Sequence, residues 1–132
     1  MTATTPRFLS LATVLHAHDE QLALFGGGSG IRDQGLLESA LAQPEATFAG
    51  EFLHQGLYAM AAAYLFHIVQ NHPFVDGNKR TGYITAMAFL EANGVETHLT
   101  MELYDITIAV ASGGMSKDQL AAELRRLFPG GE

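Results

Sequence analysis

His72-Pro73-Phe74-Val75-Asp76-Gly77-Asn78-Lys79-Arg80 gathers an imidazole, a carboxylate, a glycine, an amide and two cations into nine consecutive residues. Pro73 disfavours helix at the position before it, so an upstream helix is predicted to stop short of Pro73 and deliver His72 into a loop. Asp76-Gly77 is a turn signal. From Asn78 to Ala92 nearly every residue is compatible with a helix that is apolar almost all round, ending at Asn93-Gly94. A helix of that kind belongs at the centre of a fold.

Working outward, Leu57, Met60, Ala61, Tyr64, Leu65 and Ile68 recur at i, i+3, i+4, i+7, which predicts the upstream helix with a firm core face. Further upstream, Leu11, Val14, Leu15, Leu22 and Phe25 predict a helix from Phe8 to about Phe25, broken by Gly26-Gly27-Gly28-Ser29-Gly30. A short helix follows from Asp33, its cap, to Ala42, where Pro44 opposes continuation. Pro44 to Phe52 reads as a connecting segment. Downstream, Met101 to Ala111 is predicted with Thr100 as cap, and Lys117 to Phe128 with a Ser116/Gln119 capping box. Strand signals are weak throughout. The expectation is an all-α fold, a single compact domain over residues 1–132 with its core at about 8–128, built from about six helices around a central buried helix.

Composition narrows the function. The 132 residues include 14 acidic against 7 basic, a net charge of −7, which opposes direct binding to nucleic acid. Cysteine is absent, so disulfides and thiolate metal sites are excluded. The polar N-terminus, Met1 to Pro6, carries no targeting signal, and the longest apolar run, ending at Phe66, falls well short of the roughly 18 residues of a membrane span. No membrane association and a cytoplasmic location are the resulting expectations. Of the two adjacent basic pairs, Arg125-Arg126 falls on the solvated face of a terminal helix, which leaves Lys79-Arg80 to be explained.

The imidazole, the carboxylate, the glycine, the amide and the two cations each suit phosphoryl chemistry. A helix starting near Asn78 offers unpaired N–H groups and the positive end of its dipole to an anion. Gly77 lets the backbone approach a phosphate without a Cβ in the way. Lys79 and Arg80 can neutralise phosphate oxygens as charge redistributes in the transition state. Asp76 supplies the hard oxygen that magnesium prefers, and it also has the chemistry of a helix cap, as does Asn78. His72 is a candidate general base for an attacking hydroxyl. Phe74 reads as the anchor that inserts into the core.

The run resembles the Fic/Doc signature, in which His-x-Phe-x-acidic-small-Asn is followed by Gly-Arg-x-x-Arg in typical Fic proteins or by Lys-Arg in the Doc branch. Lys79 stands where a typical Fic enzyme has glycine, and Tyr83 where it has the second arginine. Both differences point to Doc, as does the stretch from Gly30 to Ala40. The resemblance covers about residues 8 to 128. It implies a Fic fold and a toxin of a toxin–antitoxin pair that transfers the terminal phosphate of ATP to a threonine of elongation factor Tu and arrests translation. On that pattern His72 is the base, Asp76 supports Mg2+, and Gly77, Asn78, Lys79 and Arg80 hold the phosphates. The resemblance also implies that Pro44 to Phe52 lines the target groove as a flap. The inhibitory pattern Ser/Thr-x-x-x-Glu-Gly/Asn of many Fic proteins has no match, since Phe52 follows the Thr47…Glu51 pair. Inhibition is therefore expected in trans, from a Phd-like antitoxin. Two other readings stand beside this one: a Fic-type AMP transferase, and a non-catalytic binding module of the same fold.

Other clusters carry plainer expectations. The glycines from Gly26 to Gly30 lack a following Gly-Lys-Ser/Thr and read as a flexible loop without chemistry. His16 and His18 with Asp19 and Glu20 read as a solvated helix face. His67 reads as a hydrogen-bonded core histidine or one that supports the site from behind. Tyr64, Tyr83 and Phe89 are core candidates.

Overall fold

The computed structural model describes residues 5–132, so the first four residues of the polar stretch Met1 to Pro6 lie outside the described residues. Six helices carry the fold: α1 (Leu11–Phe25), α2 (Gln34–Ala42), α3 (Leu57–Asn71), α4 (Asn78–Ala92), α5 (Met101–Ala111) and α6 (Lys117–Leu127). The architecture is all-α. No helix among the described residues is long and apolar enough to cross a membrane.

Local chemistry sets the helix starts. The Asp33 carboxylate accepts from the Leu36 amide at 2.9 Å, and the Thr100 hydroxyl from the Leu103 amide at 3.0 Å. Ser116 and Gln119 close the reciprocal box, at 3.1 Å and 2.9 Å. An unanticipated cap, Ser10, accepts from Thr13 and moves the start of α1 to Leu11 rather than Phe8.

The central place expected for α4 is shared with α3. Helix α3 is packed by α2, α4, α5 and α6, while α1 lies against α4. Small residues permit this closeness: Ala61, Ala62 and Ala63 are fully buried on α3, and Gly82 faces it from α4. A Cβ at Gly82 would lie 2.9 Å from Val69 Cγ2 and 3.5 Å from the Leu65 carbonyl oxygen. Tyr58, Tyr64, Phe74, Phe89 and Phe128 fill the surrounding core. Buried tyrosine hydroxyls still require partners, and they find them in the chain ends. Tyr64 accepts from the Leu9 amide at 2.9 Å; Tyr58 donates to the Phe128 carbonyl and accepts from the Gly131 amide.

The segment Pro44 to Phe52 is more ordered than a connection. After a 3-10 turn (Gln43–Glu45), strands β1 (Thr47–Phe48) and β2 (Glu51–Phe52) pair antiparallel, Thr47 opposite Phe52 and Phe48 opposite Glu51. Ala49 and Gly50 turn the hairpin with φ of 53° and 82°, the sign pattern of a type I′ turn. Two residues per strand are too few for an alternating pattern to register, which is why strand character was invisible in the sequence. Phe48 at the tip is 77% exposed.

Candidate active site

Helix α3 ends at Asn71 and α4 begins at Asn78, so the six residues between them must reverse the chain at the centre of the fold. His72 makes the first bend. It is the C-cap of α3, in the left-handed region at φ 50°, ψ 54°, with its N–H donated to the Ile68 carbonyl at 3.2 Å. Phe74 is fully buried and anchors the loop as expected. Gly77 makes the last bend at φ 81°, ψ 16°, where a side chain would be strained.

Asn78 locks the turn. Its Oδ1 accepts from the Phe74 amide at 2.9 Å and its Nδ2 donates to the Phe74 carbonyl at 3.0 Å, at 5% exposure. The side chain expected among the phosphate ligands is thus spent on the loop, and what Asn78 can offer an anion is its backbone N–H. Nor is it a cap: the N-cap is Gly77, with no side-chain hydrogen bond. The first intrahelical bond runs from Thr81 N–H to the Gly77 carbonyl at 2.9 Å, so the N–H groups of Asn78, Lys79 and Arg80 have no partner within the helix. They face outward with the positive end of the α4 dipole.

Asp76 does not cap α4 either. Its Oδ2 accepts from the Gly28 amide at 2.7 Å, so the glycine cluster, read as loop alone, clamps the motif's carboxylate. His18 corrects the solvated-face reading more sharply. It is 2% exposed, stacks on Phe74 with ring centroids 3.8 Å apart, and bonds the Asp76 carbonyl through Nε2 at 2.8 Å. A carbonyl only accepts, so Nε2 carries the proton. His16 and Glu20 do stay on the exposed face.

His72, Asp76, Gly77, Asn78, Lys79 and Arg80 line one cavity of about 190 Å3, with Tyr104 of α5 on its wall. Every residue singled out in the motif except the buried anchor Phe74 therefore meets at one opening. Arg80 is held with its guanidinium 4.1 Å from the centre of the Phe25 ring, a cation–π contact that keeps its charge beside the cavity. Tyr104 escaped sequence reasoning, being one exposed aromatic among the polar neighbours Glu102 and Asp105.

The residues present fit a hydrated magnesium ion shared with phosphates. Among the described residues no group of three or more histidine or acidic side chains could enclose a metal by itself. Magnesium bound with a nucleotide needs only one or two carboxylates, because phosphates and water complete its shell. Asp76 is such a carboxylate, exposed on the wall of the cavity that holds the α4 N-terminus.

His67 lies outside this cavity. Lys117 Nζ sits 2.9 Å from His67 Nε2 and 3.1 Å from His54 Nε2. An ammonium only donates, so both imidazoles accept and are neutral. Burial, then the Lys117 charge, then His54 hold His67 down at about 4. Burial and Lys117 also lower His54, against the Gln43 backbone and Asp118. Of the two roles read for His67, the hydrogen-bonded one holds: half-buried, it helps tie the segment after β2 to α3 and the start of α6.

Residues 8–90 match the Fic/DOC family. The chain is 34% identical over 126 residues to "Protein kinase doc" of Escherichia phage P1, covering 96% of this chain and 99% of that protein. It is 41% identical over 103 residues to "Toxin Doc" of Mycolicibacterium smegmatis, covering 76% of this chain and 79% of that one.

Proposed function

The chain belongs to the Fic/DOC family, and from that membership we propose that it is a Doc-type toxin transferring the terminal phosphate of ATP to a protein hydroxyl. A threonine of elongation factor Tu is the proposed target, arrest of translation the outcome, and a Phd-like antitoxin the inhibitor in trans. The observation that carries this reading is a single cavity lined by His72, Lys79 and Arg80 at the open N-terminus of a helix. The names "Protein kinase doc" and "Toxin Doc" of the two relatives support it.

In this reading the N–H groups of Asn78, Lys79 and Arg80 bind the phosphate oxygens, with Lys79 and Arg80 neutralising charge as the terminal phosphoryl group leaves. Asp76 would hold Mg2+, which supplies charge compensation between two phosphates when bound. His72 accepts the proton of the target hydroxyl through its imidazole. Phe74, His18 and Asn78 keep the loop rigid, so these groups need little rearrangement as the reaction proceeds. Lys79, at the position of a glycine in typical Fic proteins, sits beside the helix entrance and favours transfer of the terminal phosphate over AMP transfer.

The test incubates the purified protein with cell extract and ATP labelled at the α- or the γ-phosphate, with His72→Ala alongside. Label from the γ position alone, lost by at least about 10²-fold in His72→Ala, is the expected result. Label from the α position would mean AMP transfer, and label from neither a binding module.

A further inference from the structure

The left-handed turn at His72 is held from outside the motif, by the segment between α1 and α2. Arg32 reaches across with its guanidinium: Nε donates to the His72 carbonyl at 2.6 Å and Nη2 to the Asn71 carbonyl at 2.9 Å. The main chain of the same segment takes the next group, with the amides of Arg32 and Asp33 donating to the Pro73 carbonyl at 2.7 Å and 3.0 Å. Val75 N–H returns a bond to the Gly30 carbonyl at 3.1 Å, and Ile31 and Phe74 form a β-bridge. The successive carbonyls of Asn71, His72 and Pro73 are thus taken by four donor groups of two residues, Arg32 and Asp33.

A guanidinium suits this place for two reasons. Its planar fork matches two carbonyls at once, which a lysine ammonium does not. Its charge also complements the negative end of the α3 dipole. The conformation it stabilises is one that a residue with a Cβ rarely adopts, so His72 needs such a restraint to stay there.

We propose that Arg32 is a positioning residue for the transfer reaction, fixing the His72 backbone in the left-handed turn that aims the imidazole into the cavity. Arg32 does not line that cavity and acts through His72. This rests on the phosphate-transfer reading and deepens it. Arg32 is predicted to act on kcat, because the phosphate-binding amides belong to α4 and are held separately by Asn78 and His18.

The experiment compares the parent chain with Arg32→Ala and Arg32→Lys. It measures transfer from γ-labelled ATP to purified elongation factor Tu, equilibrium binding of ATP, and the φ of His72 in crystals of each protein. In Arg32→Ala, kcat is expected to fall about 10²-fold, the penalty of a small misplacement of a reacting group, while ATP affinity is retained. Arg32→Lys, which keeps the charge and loses the fork, falls by an intermediate factor and stands in should the alanine variant unfold. Added guanidinium restores part of the rate to Arg32→Ala and none to His72→Ala. An unchanged kcat, a loss carried wholly by weaker ATP binding, or a His72 that keeps its left-handed φ in both variants overturns the proposal. If the parent itself transfers nothing while His72 leaves the left-handed region in Arg32→Ala, the transfer reading falls and the control of the turn by Arg32 stands.

Discussion

Asn78 is the residue on which the loop closes, and its two hydrogen bonds to Phe74 set what its loss would do. Asn78→Ala leaves a buried N–H and a buried carbonyl without partners, so it is predicted to cost about 2–3 kcal/mol of stability, read from urea unfolding. A loss of ATP binding with stability intact would instead make its side chain a phosphate ligand. At this scale the motif was legible because nine contiguous residues cannot spread far: His72, Asp76, Lys79 and Arg80 reach one cavity simply by being close in sequence. Remote partners were not. His18 sits among His16, Asp19 and Glu20, whose polarity masks it; the signal was its register with Val14 and Gln21, at i, i+4 and i+7, on the one buried face of α1. Arg32 carried no such signal, since a lone arginine after a glycine cluster looks solvated until the chain is folded.

The pairing of α3 with α4 governs where the site's backbone lies, because the loop from His72 to Gly77 is the link between them. Gly82 permits that pairing. Gly82→Val gains helix propensity, yet its side chain must displace Val69 and the α3 backbone, so a net loss of about 1–3 kcal/mol is predicted. A lowered urea midpoint with an unchanged slope checks it; an unchanged midpoint would show that the helices can separate freely. The boundaries of α3, α4 and α5 were legible because apolar spacing, Pro73, Asn93-Gly94 and the Thr100 cap mark them directly. The β1–β2 hairpin was not, because its order comes from a turn and four paired residues, of which only Phe52 is half-buried, rather than from a buried face.

For the molecule as a whole, acid is predicted to loosen the tie between α3, α6 and the segment following the hairpin. His67 is held at about 4 in the folded state against an ordinary value of 6.5. Between those values the unfolded chain takes up a proton that the folded chain refuses, so the folded state loses stability as pH falls through that window. Above it the imidazole is neutral in both states and contributes no slope. His54, lowered by burial and Lys117, acts in the same direction. Denaturation at a series of pH values should therefore show a decline below about 6.5 that is shallower in His67→Gln; equal declines would remove His67 from the account. Under the proposed function, His72 and the α4 entrance act together to move a terminal phosphate. The most direct test is the intact mass of purified elongation factor Tu after incubation with ATP and this protein. A gain of one phosphoryl group that disappears with His72→Ala is expected; a gain of AMP, no gain, or a phosphoryl gain that survives the substitution overturns the proposed function.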